Sequence, residues 1–289
     1  GSIIGYLHFR FSLMRKPWAL GRSATELLVA YIRSLTTIPT IAMPNFYCPN
    51  VAARISQTGA KIALYDLELD FTISDSTLAQ LKAASCDIVI HVDFFGPRSN
   101  SKVEITKLIE MTNTIIKDDA QSFPISKKLP QYYHDTSLIV LTSFGYSKPL
   151  AATGGGAMIF CGNQVAPDLS LVNYAQLLQN NYFSSCLLDY TNHQVQQIIQ
   201  QPCKPASIGI HQSNLTSSKL SQFNNKIAVS TDRYKQIIEL LPRRATLPIH
   251  NITPFASIFA IYCTDRANVA QQLAAQGIES TWYYLPLNS

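Results

Sequence analysis

The chain has 289 residues, of which 47% are hydrophobic and 14% charged, with a formal net charge of +5. This length can bury a substantial core in one large domain or two ordinary ones. The basic residues occur in scattered pairs without interleaved aromatic residues, which argues against a nucleic-acid-binding surface. No uninterrupted apolar run reaches about 18 residues, so we expect no membrane span.

The six cysteines are widely and irregularly spaced, and none forms a CxxC pair. This spacing argues against a disulfide scaffold and against a structural zinc site, and it indicates a reducing compartment. The first apolar segment is too short and irregular to be a signal peptide. We therefore predict a cytoplasmic protein that binds no metal ion.

Helix-like and strand-like segments alternate along the first two-thirds of the chain. A turn and a capping hydroxyl at Ser23 mark the start of the first predicted helix. The predicted helices are Ala24–Leu35, Pro49–Thr58, Ser74–Ala84 and Lys102–Met111. The predicted strands are Thr40–Phe46, Lys61–Tyr65, Asp87–Phe95 and Thr114–Asp118. This alternation predicts an α/β fold with a mainly parallel sheet flanked by helices.

Two further apolar runs, Ser137–Phe144 and Gly156–Phe160, are predicted strands joined by a loop. Beyond about residue 165 the pattern changes to polar and helical stretches. The last predicted elements are a strand at Pro254–Cys263, a helix at Val269–Ala275 and a strand at Ile278–Leu285. We therefore expect two domains, a large one over residues 1–165 and a smaller α+β domain over residues 166–289.

The start of the first predicted helix is a candidate phosphate site. A helix N-terminus presents free N–H groups and a partial positive charge, which suit a phosphate. Ser23, which precedes Ala24, could add a hydroxyl donor. A serine that only caps the helix is the more common case, so this motif is weak by itself.

Two carboxylates lie at the C-terminal end of the predicted strand Thr114–Asp118, the end where ligands bind in open α/β sheets. Because Asp118 and Asp119 are adjacent, they point to opposite faces of the sheet, and only one can face a given ligand. An aspartate that faces a pyridinium nitrogen keeps that nitrogen protonated by charge pairing. Capping of the following turn is the alternative role for both acids.

A lysine stands in the loop directly after an apolar strand, in the run from Ser143 to Lys148. Lysine is rarely buried unless it is paired. In a partly desolvated site its amine loses its charge more easily and becomes a nucleophile for an aldehyde. An exposed loop lysine is the ordinary alternative. The glycines at 154–156 allow close approach of the backbone or a positive φ.

Taken together, the order and spacing of these motifs resemble the sugar aminotransferases of the DegT/DnrJ/StrS type. That family uses pyridoxal phosphate (PLP) and has the aspartate aminotransferase, or type I, fold. Its cofactor-binding run resembles residues 115–121, IIKDDAQ, where Lys117 replaces an acid. Its Schiff-base run resembles residues 143–148, SFGYSK, and an upstream run resembles residues 43–52, MPNFYCPNVA.

The resemblance implies roles for residues around the cofactor ring. Lys148 would carry PLP as an imine, Asp118 would pair with the pyridine nitrogen, and Gln121 would contact the phenolic oxygen. The family position that stacks an aromatic ring on the cofactor falls at Cys48. The neighbouring Tyr47 is the alternative source of that ring.

The resemblance also implies a phosphate site, a reaction and an assembly. Ser143, Ser23 and the backbone of Ala24 would hold the cofactor phosphate. The reaction would move an amino group from an amino acid, L-glutamate by family analogy, to a nucleotide-linked keto sugar. Because sites of this fold are built between subunits, a homodimer is expected.

Two departures from the family pattern leave a second function open. The family's late Thr-Arg pair is Ser280-Thr281 here, and its Asn-x-Arg stretch has no clear counterpart between Asn180 and Ser213. The alternative is a catalytically degenerate PLP-fold protein that acts as a binding or regulatory partner. A third class, an NAD-dependent enzyme, would need a Gly-x-Gly-x-x-Gly turn after its first strand, which the sequence lacks.

Overall fold

Three of the five described helices begin after a residue whose side chain caps the first turn, namely Ser23, Ser74 and Asp265. The computed structural model describes residues 18–21, 23–96, 98, 100–122, 138–145, 148, 155–161, 260, 262, 265–278, 280 and 286–288. Its helices are α1 (Ala24–Ser34), α2 (Pro49–Ser56), α3 (Asp75–Ala84), α4 (Ser101–Ile109) and α5 (Arg266–Ala275). Ser23 caps α1 by accepting from the N–H of Glu26 at 3.1 Å, and Ser74 caps α3 by accepting from Thr77 at 3.2 Å. Pro49 opens α2, where its missing N–H is not needed.

One sheet organises the part of the chain that the structure describes. Its strands are β1 (Trp18–Gly21), β2 (Thr40–Pro44), β3 (Lys61–Tyr65), β4 (Ile88–Val92), β5 (Thr114–Asp118), β6 (Leu138–Ser143) and β7 (Gly156–Phe160). The strand order across the seven-stranded sheet is β1-β7-β6-β5-β4-β2-β3. Strand β7 runs antiparallel to β1 and β6, and the remaining neighbours are parallel.

The two faces of the sheet carry separate hydrophobic cores. On the α1 face, which α1 and α2 cover, Ile116 packs in one cluster with Leu28 and Ile55. On the α4 face, which α3 and α4 cover, Ile115 packs with Leu108. Strands β4 and β5 are buried at almost every position, as strands of a parallel sheet covered on both faces are. Among the described residues, no helix is long and apolar enough to cross a membrane.

The predicted α/β fold with a mainly parallel sheet is confirmed. Three strands have the predicted bounds, namely Lys61–Tyr65, Thr114–Asp118 and Gly156–Phe160. The predicted strand Asp87–Phe95 was too long, because the chain turns after Val92 and Phe95 adopts a positive φ of 61°. The short edge strand β1 was not predicted at all.

The later part of the chain is described only in pieces. The predicted helix at Val269–Ala275 is confirmed, although it begins earlier, at Arg266. The predicted strands at Pro254–Cys263 and Ile278–Leu285 fall largely outside the described residues. Because residues 162–259 also lie outside them, the division into domains at residue 165 stays a prediction.

Candidate active site

Several elements end or begin at one edge of the sheet, the edge formed by the carboxyl ends of the parallel strands. Asp118 ends β5 and Ser143 ends β6. The antiparallel strand β7 begins at this edge with Gly156, which pairs with Ser143 on one side and with Gly21 on the other. Since α1 follows β1, its N-terminus lies at the same edge. Ligands of open α/β sheets bind at this edge, so the topology alone concentrates these residues where a ligand is expected.

Asp118 lies on the α1 face of the sheet and is held by two donors. The carboxylate is only 5% exposed. Its Oδ2 accepts from the hydroxyl of Tyr47 at 2.7 Å, and its Oδ1 accepts from the N–H of Ala120 at 2.9 Å. The bond from Ala120 caps the turn after β5, which is the alternative role that the sequence left open for this acid. Asp118 therefore caps the turn and presents a fixed carboxylate on the α1 face.

The region just before α2 contains both residues considered for ring stacking. Tyr47 is fully buried in the core of the α1 face, with its hydroxyl on Asp118. Cys48 is half-buried and occupies the N-cap position of α2, where its side chain makes no capping hydrogen bond. Which of the two faces the cofactor ring stays a prediction.

Gln121 joins the loop after β5 to the loop after β4. The N–H of Phe95 donates to Oε1 of Gln121 at 3.1 Å, and both residues are buried. The same two loops meet again where the N–H of Asp93 donates to the carbonyl oxygen of Asp118 at 3.3 Å. The amide group of Gln121 is a donor, of the kind that a phenolic oxygen accepts. Its position one turn beyond Asp118 suits the predicted role, which stays a prediction.

Lys148 and Ser143 border the same glycine. A Cβ atom added to Gly145 would lie 3.5 Å from Cγ of Lys148 and 3.6 Å from Oγ of Ser143. The N–H of Lys148 donates to the carbonyl oxygen of Gly145 at 2.9 Å. Lys148 is half-buried rather than fully exposed. The side chain of Lys148 and the hydroxyl of Ser143 therefore lie near each other at the carboxyl edge.

The start of α1 packs directly against the glycines that open β7. A Cβ atom on Gly156 would lie 2.3 Å from the nitrogen of Ala24 and 2.8 Å from the carbonyl carbon of Ser23. Ser23 also forms an isolated parallel bridge with Gly155. Only glycine permits this approach. It places the N-terminus of α1 beside Gly156, the residue of β7 that pairs with Ser143 of β6. The combination of a helix N-terminus and two serine hydroxyls suits a phosphate.

The opposite face of the sheet holds a buried group of charged side chains, called here the α4-face ion network. Its members are His91, Asp93, Arg98, Glu104, Lys117 and Asp119. Lys117 Nζ lies 2.8 Å from Asp93 Oδ2 and also contacts Asp119, and Arg98 lies 2.8 Å from Glu104. Sequence analysis did not predict this network. The one signal was a lysine inside an otherwise apolar strand, which has to find carboxylate partners.

Charge pairing and burial act on the carboxyl groups of this network in opposite directions. Burial acts to raise the pKa of Asp93, but the charges of Lys117, His91 and Arg98 together hold it below its usual value. Burial raises the pKa of Asp119 in spite of Lys117. The single positive charge of Lys117 is therefore shared by two buried carboxyl groups, both of which contact it.

Comparison with known proteins shows which family the chain belongs to. The family model for the DegT/DnrJ/EryC1/StrS aminotransferases matches residues 22–289. The chain belongs to this aminotransferase family. The resemblance that the motifs indicated is thereby confirmed, and the chain is a PLP-dependent aminotransferase. No curated protein matches the sequence of this aminotransferase.

Solved structures of similar proteins show the fold of the aminotransferase. A DegT DnrJ EryC1 StrS aminotransferase from Brucella abortus shares 21% identity at a TM-score of 0.62, over 98% of this chain and 74% of that one. DesV of S. venezuelae shares 18% identity at a TM-score of 0.63, over 96% of this chain and 73% of that one. AtS13 of Actinomadura melliaura shares 14% identity at a TM-score of 0.70, over 98% of this chain and 77% of that one. The expected type I fold is thereby confirmed.

The residues at the carboxyl edge of the aminotransferase fit PLP. A buried carboxylate, Asp118, is available for the pyridine nitrogen, and a half-buried lysine, Lys148, is available for the aldehyde. The close approach at Gly156 brings a helix N-terminus and Ser143 together for the phosphate. PLP therefore has a complementary group for each of its three reactive or charged parts, while the role of each residue stays a prediction.

Proposed function

We propose that the protein moves an amino group from L-glutamate to a nucleotide-linked keto sugar, with PLP held covalently on Lys148. Family membership supports the reaction class and the cofactor. The main support for the proposal is the position of Asp118, which is buried and oriented at the carboxyl edge of the sheet. Ser143 and the start of α1 lie at the same edge. PLP supplies the electron sink that stabilises negative charge on the carbon next to the amino group.

Each residue has a distinct task in this proposal. The amine of Lys148 would hold the cofactor covalently and, when released, would carry a proton to and from the α-carbon of the amino donor. Asp118 keeps the pyridine nitrogen protonated by charge pairing. Gln121 donates to the phenolic oxygen, and Cys48 or Tyr47 faces the ring.

The phosphate is the anchor of the cofactor in this proposal. The N–H groups at Ala24 and the hydroxyls of Ser23 and Ser143 surround it at the start of α1. A helix N-terminus favours an anion through its free N–H groups and its partial positive charge. The hydroxyl of Ser23 already accepts from Glu26 as the cap of α1, so it can still donate its own proton to a phosphate oxygen.

Absorption spectroscopy tests the covalent link and the donor. The purified protein should bind PLP with a visible band that borohydride abolishes, and L-glutamate should convert that band to the spectrum of the aminated cofactor. Lys148→Ala should lose the band and at least about 1,000-fold of the activity, because the variant lacks both the covalent anchor and the proton carrier. A Lys148→Ala enzyme with normal transamination would refute the proposal.

The second candidate function is a binding or regulatory protein that keeps the cofactor without turnover. Ser280-Thr281 in place of the family's Thr-Arg pair favours it, since an arginine that could meet an anionic substrate is missing there. A visible band that L-glutamate leaves unchanged would favour this candidate. Conversion of the band, followed by transfer of ¹⁵N from labelled glutamate to a nucleotide-linked keto sugar, would decide for the aminotransferase.

We propose a homodimer by the same resemblance, because sites of this fold are built between subunits. We also propose a cytoplasmic location, which the irregular cysteine spacing supports. Light scattering of the purified protein at two concentrations measures the mass directly. A mass of one chain, 32.1 kDa, at both concentrations would contradict the homodimer.

A further inference from the structure

The hydrogen bond between Tyr47 and Asp118 connects two elements that are far apart in sequence. Tyr47 lies before α2, and Asp118 ends β5, yet the hydroxyl of Tyr47 donates to Oδ2 of Asp118 at 2.7 Å. Both side chains are buried, with 2% of Tyr47 and 5% of Asp118 exposed. A hydrogen bond to a carboxylate is stronger than one between neutral groups, and burial strengthens it further. This bond therefore holds the carboxylate that receives it in a fixed orientation.

The carboxylate of Asp118 is restrained at both of its oxygen atoms. Oδ1 accepts from the N–H of Ala120 at 2.9 Å, while Oδ2 accepts from Tyr47. Rotation of the carboxyl group would break at least one of these bonds. Each carboxylate oxygen has room for a second donor, so both bonds can persist when a ligand donates as well.

We infer that Tyr47 is a positioning residue for Asp118, whose hydroxyl orients the carboxylate and withdraws part of its negative charge. The inference rests on the proposed function, in which Asp118 meets the pyridine nitrogen of the cofactor. It gives Tyr47 a role that depends on the hydroxyl, whereas ring stacking would depend on the aromatic ring alone. The two roles therefore respond differently to a change that removes only the hydroxyl.

Tyr47→Phe removes the hydroxyl and keeps the ring. The matched control is Tyr65→Phe, because the hydroxyl of Tyr65 is also buried but donates to the carbonyl oxygen of Ile90 at 2.6 Å. We expect Tyr47→Phe to raise the dissociation constant of PLP about tenfold, because a carboxylate that has lost one restraint must be ordered when the cofactor binds. Tyr65→Phe should leave this constant unchanged, while both variants should unfold at lower temperature.

The visible band of the bound cofactor supplies a readout that a merely structural role would not move. With the hydroxyl removed, Asp118 keeps more negative charge beside the cofactor. The pH midpoint, at which half of the pH-dependent change of the band has occurred, should therefore be higher in Tyr47→Phe. The midpoint should not change in Tyr65→Phe. A Tyr47→Phe protein with the dissociation constant and midpoint of the wild type would overturn the inference and favour ring stacking.

A double-mutant cycle shows whether Tyr47 acts through Asp118. The effect of Tyr47→Phe on PLP affinity should disappear in an Asp118→Asn background, because the carboxylate that the hydroxyl orients is then absent. An undiminished effect in that background would overturn the inference while the proposed function stands. A wild-type chain that binds no PLP would overturn both.

Discussion

Lys117 Nζ lies 2.8 Å from Asp93 Oδ2 on the sheet face opposite Asp118, and both side chains are buried. Removing one partner of a buried ion pair leaves an uncompensated charge in a medium that solvates it poorly. We therefore expect Lys117→Met to reduce the free energy of unfolding by about 3–5 kcal/mol, measured by chemical denaturation. The loss should be large because Asp119 would also lose its cation.

The control for this change is another lysine that is paired but exposed. Lys107 Nζ lies 2.9 Å from Asp75 Oδ1 on the surface. Exposed ion pairs contribute little because water and salt screen them, so Lys107→Met should hardly change stability. Equal destabilisation by the two substitutions would contradict the assignment of a buried, stability-determining network. Adding Asp93→Asn to Lys117→Met should recover part of the loss, since the two residues are in contact.

The close approach of Gly156 and Ala24 predicts that an alanine is not tolerated at position 156. Its Cβ atom would meet the nitrogen of Ala24 at 2.3 Å, and that backbone atom cannot move without shifting α1. We expect Gly156→Ala to destabilise the protein by about 1–3 kcal/mol, the range for overpacking. PLP affinity should also fall, because the displaced helix start is the proposed phosphate site.

Gly145→Ala tests whether any glycine near this edge would give the same result. At that position the nearest atoms lie at 3.5 and 3.6 Å, which is ordinary contact. Its free energy of unfolding should stay close to that of the wild type. Denaturation curves of the two variants, measured side by side, check the prediction, and a stable Gly156→Ala protein would contradict it.

The buried thiols should be resistant to alkylation in the folded protein. Burial raises the pKa of the Cys161 thiol to about 12, and burial together with Asp87 raises the pKa of Cys86. Because only the thiolate reacts, iodoacetamide should leave both residues unmodified from pH 7 to 9. Peptide mass spectrometry before and after unfolding measures this, and rapid modification of native Cys161 would contradict its burial.

Cys48 should respond to the cofactor if its family position is the ring-facing one. It is half-buried, whereas Cys86 and Cys161 are buried. We expect iodoacetamide to modify Cys48 in the apo protein and saturating PLP to slow that reaction at least about tenfold, since bound ligand excludes the reagent. Unchanged modification of Cys48 with PLP bound would place the ring elsewhere. Cys161, which should stay unmodified with and without PLP, is the control for unfolding during the reaction.

Sequence alone determined the class of this fold and the family. The signals that sufficed were local ones, which lie in neighbouring residues and do not depend on distant contacts. They were apolar strand runs such as Thr114–Asp118, helix caps such as Ser23, and the alternation of the two element types. They predicted the parallel sheet and put Asp118 at its carboxyl edge. The ordered motifs around Lys148 then indicated the family that the comparison confirmed.

Tertiary structure decided which of these residues touch each other. The hydroxyl of Tyr47 on Asp118 and the contact of Gly156 with Ala24 join segments far apart in the chain. Strand β1 escaped prediction because it has four residues and is stabilised by pairing with a distant strand. No local pattern encodes such contacts, since they depend on how the sheet brings strand ends together. For the same reason, the sequence showed Lys117 only as a lysine in place of the family's acid. The tertiary structure shows that Asp93 and Asp119 pair with it.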